Sequence, residues 1–211
     1  MEFNINQQVV VIGNSGDPIS SEVITVLHHR KDFCIRTIEA QDDLSIISQN
    51  NFKGFIIISL PSGRLKDWAE QFLKNNLRNY FSVYYYDSFF AERLGHSIYL
   101  EFDFVIAGEQ RKINLSNLLD YLRENYWRKI PYSLLKVENG SMTNVMRRIL
   151  FSLENQNSED LTLEKISTKL RVRKSLIRKE IKSITDLNFS DLKKLIFDYY
   201  QKNYPEYYRA K

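Results

Sequence analysis

Along residues 1–127, short apolar runs alternate with stretches in which the apolar residues follow helical spacing. The apolar runs predict five strands, at residues 9–12, 33–38, 55–60, 81–86 and 102–107. The third run is the most apolar, as expected for a sheet covered on both faces. The intervening spacing predicts helices at residues 19–31, 44–47, 65–77, 89–94 and 115–126. This alternation predicts an α/β domain with a five-stranded parallel sheet of flavodoxin-like order.

After residue 141 the pattern is helical only. Apolar residues recur at helical spacing and predict helices at 142–153, 161–170, 174–184 and 189–200. Asn188 or Ser190 is the predicted cap of the last of these helices. Residues 128–141 contain Pro131 and the turn signal Asn139-Gly140, and we interpret them as a linker. The predicted organisation is therefore an α/β domain at 1–127, a linker at 128–141 and a small all-α domain at 142–211.

Residues 161–195 have the pattern of a helix-turn-helix DNA reader. The first helix would pack through Leu163, Ile166 and Leu170, and residues 171–173 would form the turn. On a wheel of the second helix, one arc is apolar and carries Leu176, Ile177, Ile181 and Ile184. The other arc carries Lys174, Ser175, Arg178, Lys179 and Lys182. A recognition helix needs this division, because one face must pack while the other reaches phosphates and base edges.

Charge is concentrated in the same part of the chain. The whole chain has 211 residues and a net charge of +4. Residues 142–211 carry 15 Lys/Arg against 9 Asp/Glu, whereas residues 1–141 carry 15 against 17. Within residues 161–182 there are eight Lys/Arg and two Glu. The excess favours an anionic partner for the C-terminal part, and the alternatives are a solvated charged face or a protein-docking face.

Residues 161–192 resemble the first helix-turn-helix of AraC-type transcription regulators. The matching text is LTLEKIS from residue 161, LRVRKS from residue 170 and DLNFSDL from residue 186, with Ile177 and Ile181 between. The resemblance implies that the small residue Ser167 helps the first helix to pack. It also implies that the second helix enters the major groove through Arg173, Arg178 and their neighbours. Only one such unit fits here, whereas the family usually carries two.

This chain departs from the AraC-type pattern at three positions. Arg171 stands at the turn glycine, Arg173 at the serine that opens the second helix, and Asp186 at the glycine that follows it. Arg178 is the best candidate for a base edge, and Lys179 and Lys182 are candidates for phosphates. The predicted DNA-contacting residues are Arg171, Arg173, Lys174, Ser175, Arg178, Lys179 and Lys182.

A five-unit βα domain followed by a helix-turn-helix resembles a response regulator. Receiver domains carry carboxylates, Ser/Thr and Lys at the ends of their strands, where the carboxylates hold Mg²⁺. The matching places here are Gly13-Asn14, Ser59-Leu60, Tyr86-Asp87 and Ala107-Gly108. The acidic residues and the lysine of a receiver are not present at these places. The nearby Asp17 and Asp87 are expected to be cap or turn residues. We therefore expect an atypical, degenerate receiver that dimerises or binds a partner without phosphorylation.

Other chemistry has little support in the sequence. The single Cys34 has apolar neighbours and is predicted to be a buried core thiol, and the three histidines have no metal-ligand spacing. We find no nucleophile–base pair, so we expect neither an enzyme nor a cofactor. The alternative is that residues 13–21 cradle the phosphate of a flavin or nucleotide, instead of forming a turn in which Asp17 or Ser20 caps the next helix.

Taken together, these patterns predict a cytoplasmic, sequence-specific DNA-binding transcription regulator. No run of about 18 apolar residues and no signal-peptide pattern is present, so no membrane association is expected. The expected partners are double-stranded DNA and a second copy of the chain, with RNA polymerase or another transcription factor as a further partner. A helix-turn-helix that docks on a transcription-complex protein is the main alternative.

Overall fold

The computed structural model describes residues 7–14, 16–39, 47, 52–60, 77–87, 102–137, 142–155 and 161–207. The chain divides into two compact units, Met1–Tyr126 and Trp127–Lys211. Elements are numbered below in chain order among the described residues.

The first unit contains the predicted five-stranded sheet, and all of its strand pairs are parallel. The strands are β1 (Gln7–Gly13), β2 (Phe33–Glu39), β3 (Gly54–Ile58), β4 (Phe81–Tyr85) and β5 (Phe104–Ile106). Their order is β2-β1-β3-β4-β5, which confirms the flavodoxin-like order expected from the sequence. Every residue of β3 and β4 is buried, as the apolar text of a central parallel strand predicts.

Two helices of this unit are described, α1 (Pro18–His28) and α2 (Arg111–Asn125). Asp17 is the N-cap of α1, because its side chain accepts a hydrogen bond from the Ile19 N–H at 3.4 Å. The two helices contact each other, and Arg30 donates to the Ser116 carbonyl at 3.0 Å. The predicted helices at 44–47, 65–77 and 89–94 lie outside the described residues, apart from Ile47 and Leu77.

Cys34 is exposed, so the prediction of a buried core thiol is wrong. β2 is an edge strand of the described sheet, and its residues point alternately to its two faces. Cys34 and Arg36 share a face and are both exposed, whereas Phe33 points to the other face and is buried. The apolar neighbours of Cys34 therefore said nothing about the face on which its own thiol lies.

The described elements of the second unit are helical. They include α3 (Asn144–Glu154), α4 (Leu163–Leu170), α5 (Lys174–Thr185) and α6 (Phe189–Asn203). Three of them begin at a side-chain cap, formed by Thr143, Thr162 and Asn188 respectively for α3, α4 and α6. Of the two candidate caps for the last helix, Asn188 therefore has that role. α5 contacts α3, α4 and α6, so it is held from three sides.

Residues 127–137 pack within the second unit, although residues 128–141 were predicted to be a linker. The Trp127 ring lies 5.5 Å from the Tyr200 ring and 5.7 Å from the Tyr207 ring, measured between centroids. The Glu154 carboxylate accepts from the Ile130 N–H at 2.9 Å, and the Lys129 Nζ lies 3.5 Å from it. Lys129 and Glu154 are both buried, so this ion pair attaches the segment to α3. A search for helical or strand periodicity does not detect such a segment, because it is held by individual ring contacts, hydrogen bonds and an ion pair.

No helix in the described parts of the chain is both long enough and apolar enough to cross a bilayer.

Candidate nucleic-acid interface

A tight turn without glycine joins α4 to α5. Arg171 adopts the left-handed conformation, with φ of 54°. The Arg171 N–H donates to the Thr168 carbonyl at 3.2 Å, and the Val172 N–H donates to the Ser167 carbonyl at 3.1 Å. The Ser167 hydroxyl closes the turn by donating to the Val172 carbonyl at 2.7 Å. The turn keeps the geometry that glycine usually supplies, with a cation at that position.

α5 has one buried face and one exposed face. Ile177 and Ile181 are fully buried, and Ile184 is partly buried. All seven predicted contact residues are exposed: Arg171, Arg173, Lys174, Ser175, Arg178, Lys179 and Lys182. The buried arc is narrower than the sequence predicted, because Leu176 at its edge is 37% exposed. The helix therefore presents a largely basic surface that also contains one leucine.

Two hydrogen bonds attach this pair of helices to α3. Glu180 lies on the apolar arc of α5, between Leu176 and Ile184, and its Oε2 accepts from the Thr143 hydroxyl at 2.6 Å. Leu170 is the last residue of α4, and its carbonyl accepts a hydrogen bond from the Arg148 Nη2 at 2.9 Å. This carboxylate on an otherwise apolar arc therefore has a tertiary partner.

Two of the seven residues already pair with carboxylates. The Lys174 Nζ lies 2.9 Å from Glu164 Oε1 on α4, and this hydrogen bond lowers the pKa of Glu164. The Lys182 Nζ lies 2.7 Å from Asp186 Oδ1 and donates to the Asp186 carbonyl at 2.8 Å. The hydrogen bond from Lys182 likewise lowers the pKa of Asp186. Lys174 and Lys182 are thus partly neutralised in the free protein.

Arg171, Arg173, Arg178 and Lys179 form no ion pair with any residue that the structure describes. Lys169, in the last turn of α4, is also exposed and makes no ion pair within the described ranges. Lys169 was not among the predicted contact residues, although it contributes to the charge excess of residues 161–182. The unneutralised charge is therefore centred on the turn and the outer face of α5.

Two serine hydroxyls fill the space beside Gly13, which is one of the places that match a receiver's acidic residues. The Ser20 and Ser59 hydroxyls are 2.9 Å apart and both residues are buried. A Cβ at Gly13 would lie 2.2 Å from the Ser20 Oγ and 2.7 Å from the Ser59 Oγ. An acidic side chain at Gly13 therefore has no space, and the buried Ser59 offers no exposed acceptor.

The carboxylate of Glu22 lies at the centre of an ion-pair cluster on the first unit. It is 2.7 Å from Arg111 Nε and 3.3 Å from Lys112 Nζ, and it accepts from the Tyr85 hydroxyl. Burial raises the pKa of Glu22, but hydrogen bonds from Arg111, Tyr85 and Lys112 outweigh it, so the pKa lies below the ordinary value. Arg111 also pairs with Asp87 at 3.3 Å, which makes Asp87 part of this cluster.

A small cavity adjoins the loop at residues 13–21. Its lining includes Gly13, Asn14, Ser21, Thr37 and Glu39, and its volume is about 100 Å³. Pockets for drug-sized ligands begin at about 300 Å³, so this space is too small for a flavin. Among the residues with described positions, no group of three or more His, Cys, Asp or Glu is placed to hold a metal ion.

Comparisons of the chain with protein-family models, curated protein sequences and solved structures gave no match. The resemblances to AraC-type regulators and response regulators stay predictions that depend on the motifs quoted above. Function is therefore inferred from the residues and geometry of the two units.

Proposed function

We propose that this chain is a sequence-specific DNA-binding transcription regulator in which α4 and α5 form a helix-turn-helix reader. One observation carries the proposal. α5 buries Ile177 and Ile181 while Arg178 and Lys179, on its other side, are exposed and make no ion pair among the described residues. A helix that packs through one face and carries unpaired cations on the other can enter the major groove and bind the negatively charged phosphates beside it.

The cations would divide into two roles. Arg178 would donate to a base edge, because a guanidinium can make two hydrogen bonds to guanine. Lys179, Arg171 and Arg173 would contact phosphates. Lys174 and Lys182 would exchange their carboxylate partners for phosphates, which makes their net contribution smaller. Three phosphate contacts by unneutralised cations would give a salt-dependence slope of about −2.7 for one reader, at about −0.9 for each contact.

The first unit would serve as a dimerisation or partner-binding domain that works without phosphorylation. Two observations support a role without phosphorylation: a Cβ at Gly13 would have no space, and Ser59 is buried. The chain would then be an atypical, orphan response regulator of the cytoplasm. One reader of this size buries little DNA surface, so a homodimer with half-sites about one helical turn apart is expected.

The test is selection of the full-length protein on a random pool of duplex DNA at two salt concentrations. Enrichment of a motif, with affinity that falls steeply with salt, is the expected result. Arg178→Ala should cost about 1–3 kcal/mol and relax the preference at one base pair. If affinity is lost equally on all sequences, Arg178 is a phosphate contact. Absence of DNA binding at either salt would reject the reader and favour docking on a transcription-complex protein.

A further inference from the structure

The outer face of α3 carries cations around an exposed phenyl ring. Four residues of this helix fall within an arc of about 100° and are called the α3 patch: Asn144, Arg147, Arg148 and Phe151. The buried apolar residues of α3, which include Ile149 and Leu153, lie on the opposite side. Phe151 is 43% exposed, although it is a large apolar residue. The helix therefore packs through one side and presents an aromatic ring between two arginines on the other.

The positive charge of the α3 patch is not offset by any carboxylate on the same helix surface. Glu154 is the one acidic residue of α3, and it is buried and accepts from the Ile130 N–H at 2.9 Å. Arg148 is exposed and forms no ion pair with any residue that the structure describes. Its Nη2 donates to the neutral carbonyl of Leu170, and a guanidinium has five N–H donors. Arg148 therefore keeps its charge and has further donors for a carboxylate.

The α3 patch lies on the side of the second unit that is turned away from the proposed DNA-binding face. Thr143 is the N-cap of α3, and its hydroxyl donates to Glu180 on α5 at 2.6 Å. Glu180 lies about 160° around α5 from Lys182, which is near the middle of the basic face. α3 therefore contacts α5 from the side opposite the basic face, with its own buried side inward. A DNA duplex bound to the basic face leaves the α3 patch exposed.

We propose that the α3 patch binds an acidic segment of another protein while the reader holds DNA. The carboxylates of this segment accept hydrogen bonds from Arg148, because a guanidinium and a carboxylate can form two parallel bonds. An apolar side chain beside these carboxylates covers Phe151. Aromatic side chains and arginine are enriched among the residues that contribute most to the stability of protein interfaces. The inference goes beyond the proposed function, because it uses no residue of the basic face of α5.

The probe that tests the α3 patch is a random copolymer of glutamate and tyrosine, which combines carboxylates with apolar rings. It is added to the full-length protein bound to its selected DNA duplex, so that the cations of the reader are occupied. Affinity for the copolymer is measured for the unchanged protein, for Phe151→Ala and for Arg148→Gln, while labelled DNA reports whether the duplex stays bound. Polyglutamate of equal length measures the effect of charge alone. Ile113→Ala and Lys31→Ala remove an exposed apolar side chain and an exposed cation from the first unit and are the matched controls.

Phe151→Ala and Arg148→Gln should each bind the copolymer about tenfold more weakly, with DNA affinity unchanged. The two control variants should bind it like the unchanged protein, and Phe151→Ala should bind polyglutamate normally. If Arg148→Gln lowers the stability of the fold, Phe151→Ala alone decides. The α3 patch is overturned if Phe151→Ala binds the copolymer like the controls, or if the copolymer displaces the DNA. It is also overturned if a single-stranded oligonucleotide binds the DNA-bound protein through Phe151 as tightly as the copolymer does, which would indicate a second nucleic-acid surface.

Failure of the DNA-binding function gives a different result from failure of the α3 patch. If no DNA motif is enriched, copolymer binding is measured on the free Arg178→Ala/Lys179→Ala variant, in which the basic face of α5 has lost two cations. Copolymer binding that persists there and still depends on Phe151 would support the patch without the DNA reader. Loss of copolymer binding in that variant would assign the acidic probe to α5 and overturn the patch.

Discussion

The two units differ in how some of their exposed or partly buried charged side chains are paired. In the first unit, Glu22 is bonded to Arg111, Lys112 and Tyr85, so the carboxylate and the cations neutralise one another. In the second unit, Arg178 and Lys179 are exposed and have no acidic partner in the described part of the chain. The net charge of the chain does not show this difference, because it averages over both units.

The contrast indicates where a polyanion would bind. A cation that already donates to a carboxylate must give up that bond before it can bind a phosphate, so much of the gain is offset. A solvated cation gives up only water and counterions. Variants that remove a paired charge and variants that remove an unpaired one should therefore affect DNA binding differently.

The largest effect is expected from the buried face that orients α5. Ile181 is fully buried, so Ile181→Ala should lower the free energy of unfolding of the second unit by about 2–5 kcal/mol. Urea unfolding followed by circular dichroism measures the loss, and hydrogen exchange of the α5 amides localises it. Ile113→Ala, at a 61% exposed position of the first unit, should stay within about 0.5 kcal/mol. An equal loss in both variants would contradict the assignment of the two faces.

The next effect is expected from the unneutralised cations. The double variant Arg178→Ala/Lys179→Ala should bind the selected DNA about 100-fold more weakly, and its salt slope should be shallower by about one, because only Lys179 is assigned to a phosphate. Titrations at several salt concentrations measure both quantities. Lys31→Ala/Lys53→Ala removes two exposed cations from the first unit and should leave affinity and slope nearly unchanged. If the two double variants behave alike, net charge alone explains binding and the reader has no special role.

A smaller effect is expected from the carboxylate of the first unit. The folded-state pKa of Glu22 is lowered, so its pairing stabilises the fold fully above its ordinary pKa of 4.5. This contribution is lost as the pH falls through the lowered value. Glu22→Gln should therefore cost about 1.5 kcal/mol at pH 7 and much less at pH 3. Urea unfolding at the two pH values measures the difference, and a cost that is the same at both would contradict a charged, paired Glu22.

The smallest effect is expected at the edge of the reader. Glu164→Gln removes the partner of Lys174 and so adds one free cation beside the turn. DNA affinity should rise about two- to fivefold at low salt, and the salt slope should become steeper by up to one. Glu109→Gln removes one exposed carboxylate from the first unit and controls for net charge. If Glu109→Gln gives the same rise, the pairing of Lys174 does not restrain binding.

Much of the fold could be predicted because its signals are local. The five strands were visible as apolar runs, and their flavodoxin-like order follows from strands that alternate with helices. The cap at Asp17 and the buried pair Ile177 and Ile181 were also expected from sequence spacing. The prediction failed for Cys34, because on an edge strand its apolar neighbours point to the other face. The packing of residues 127–137 was missed because it depends on contacts with the distant residues Glu154 and Tyr200.

For the candidate interface, the residues that share the outer face of α5 could be predicted from the sequence alone, since helical periodicity depends only on spacing along the chain. It could not determine which of those cations are already neutralised. Lys174 meets Glu164 because the turn at Arg171 brings two helices together, and Glu180 finds Thr143 across the unit. These pairings depend on the tertiary fold, because the interaction of two charges or hydrogen-bonding groups is set by their distance in space and their exposure to water.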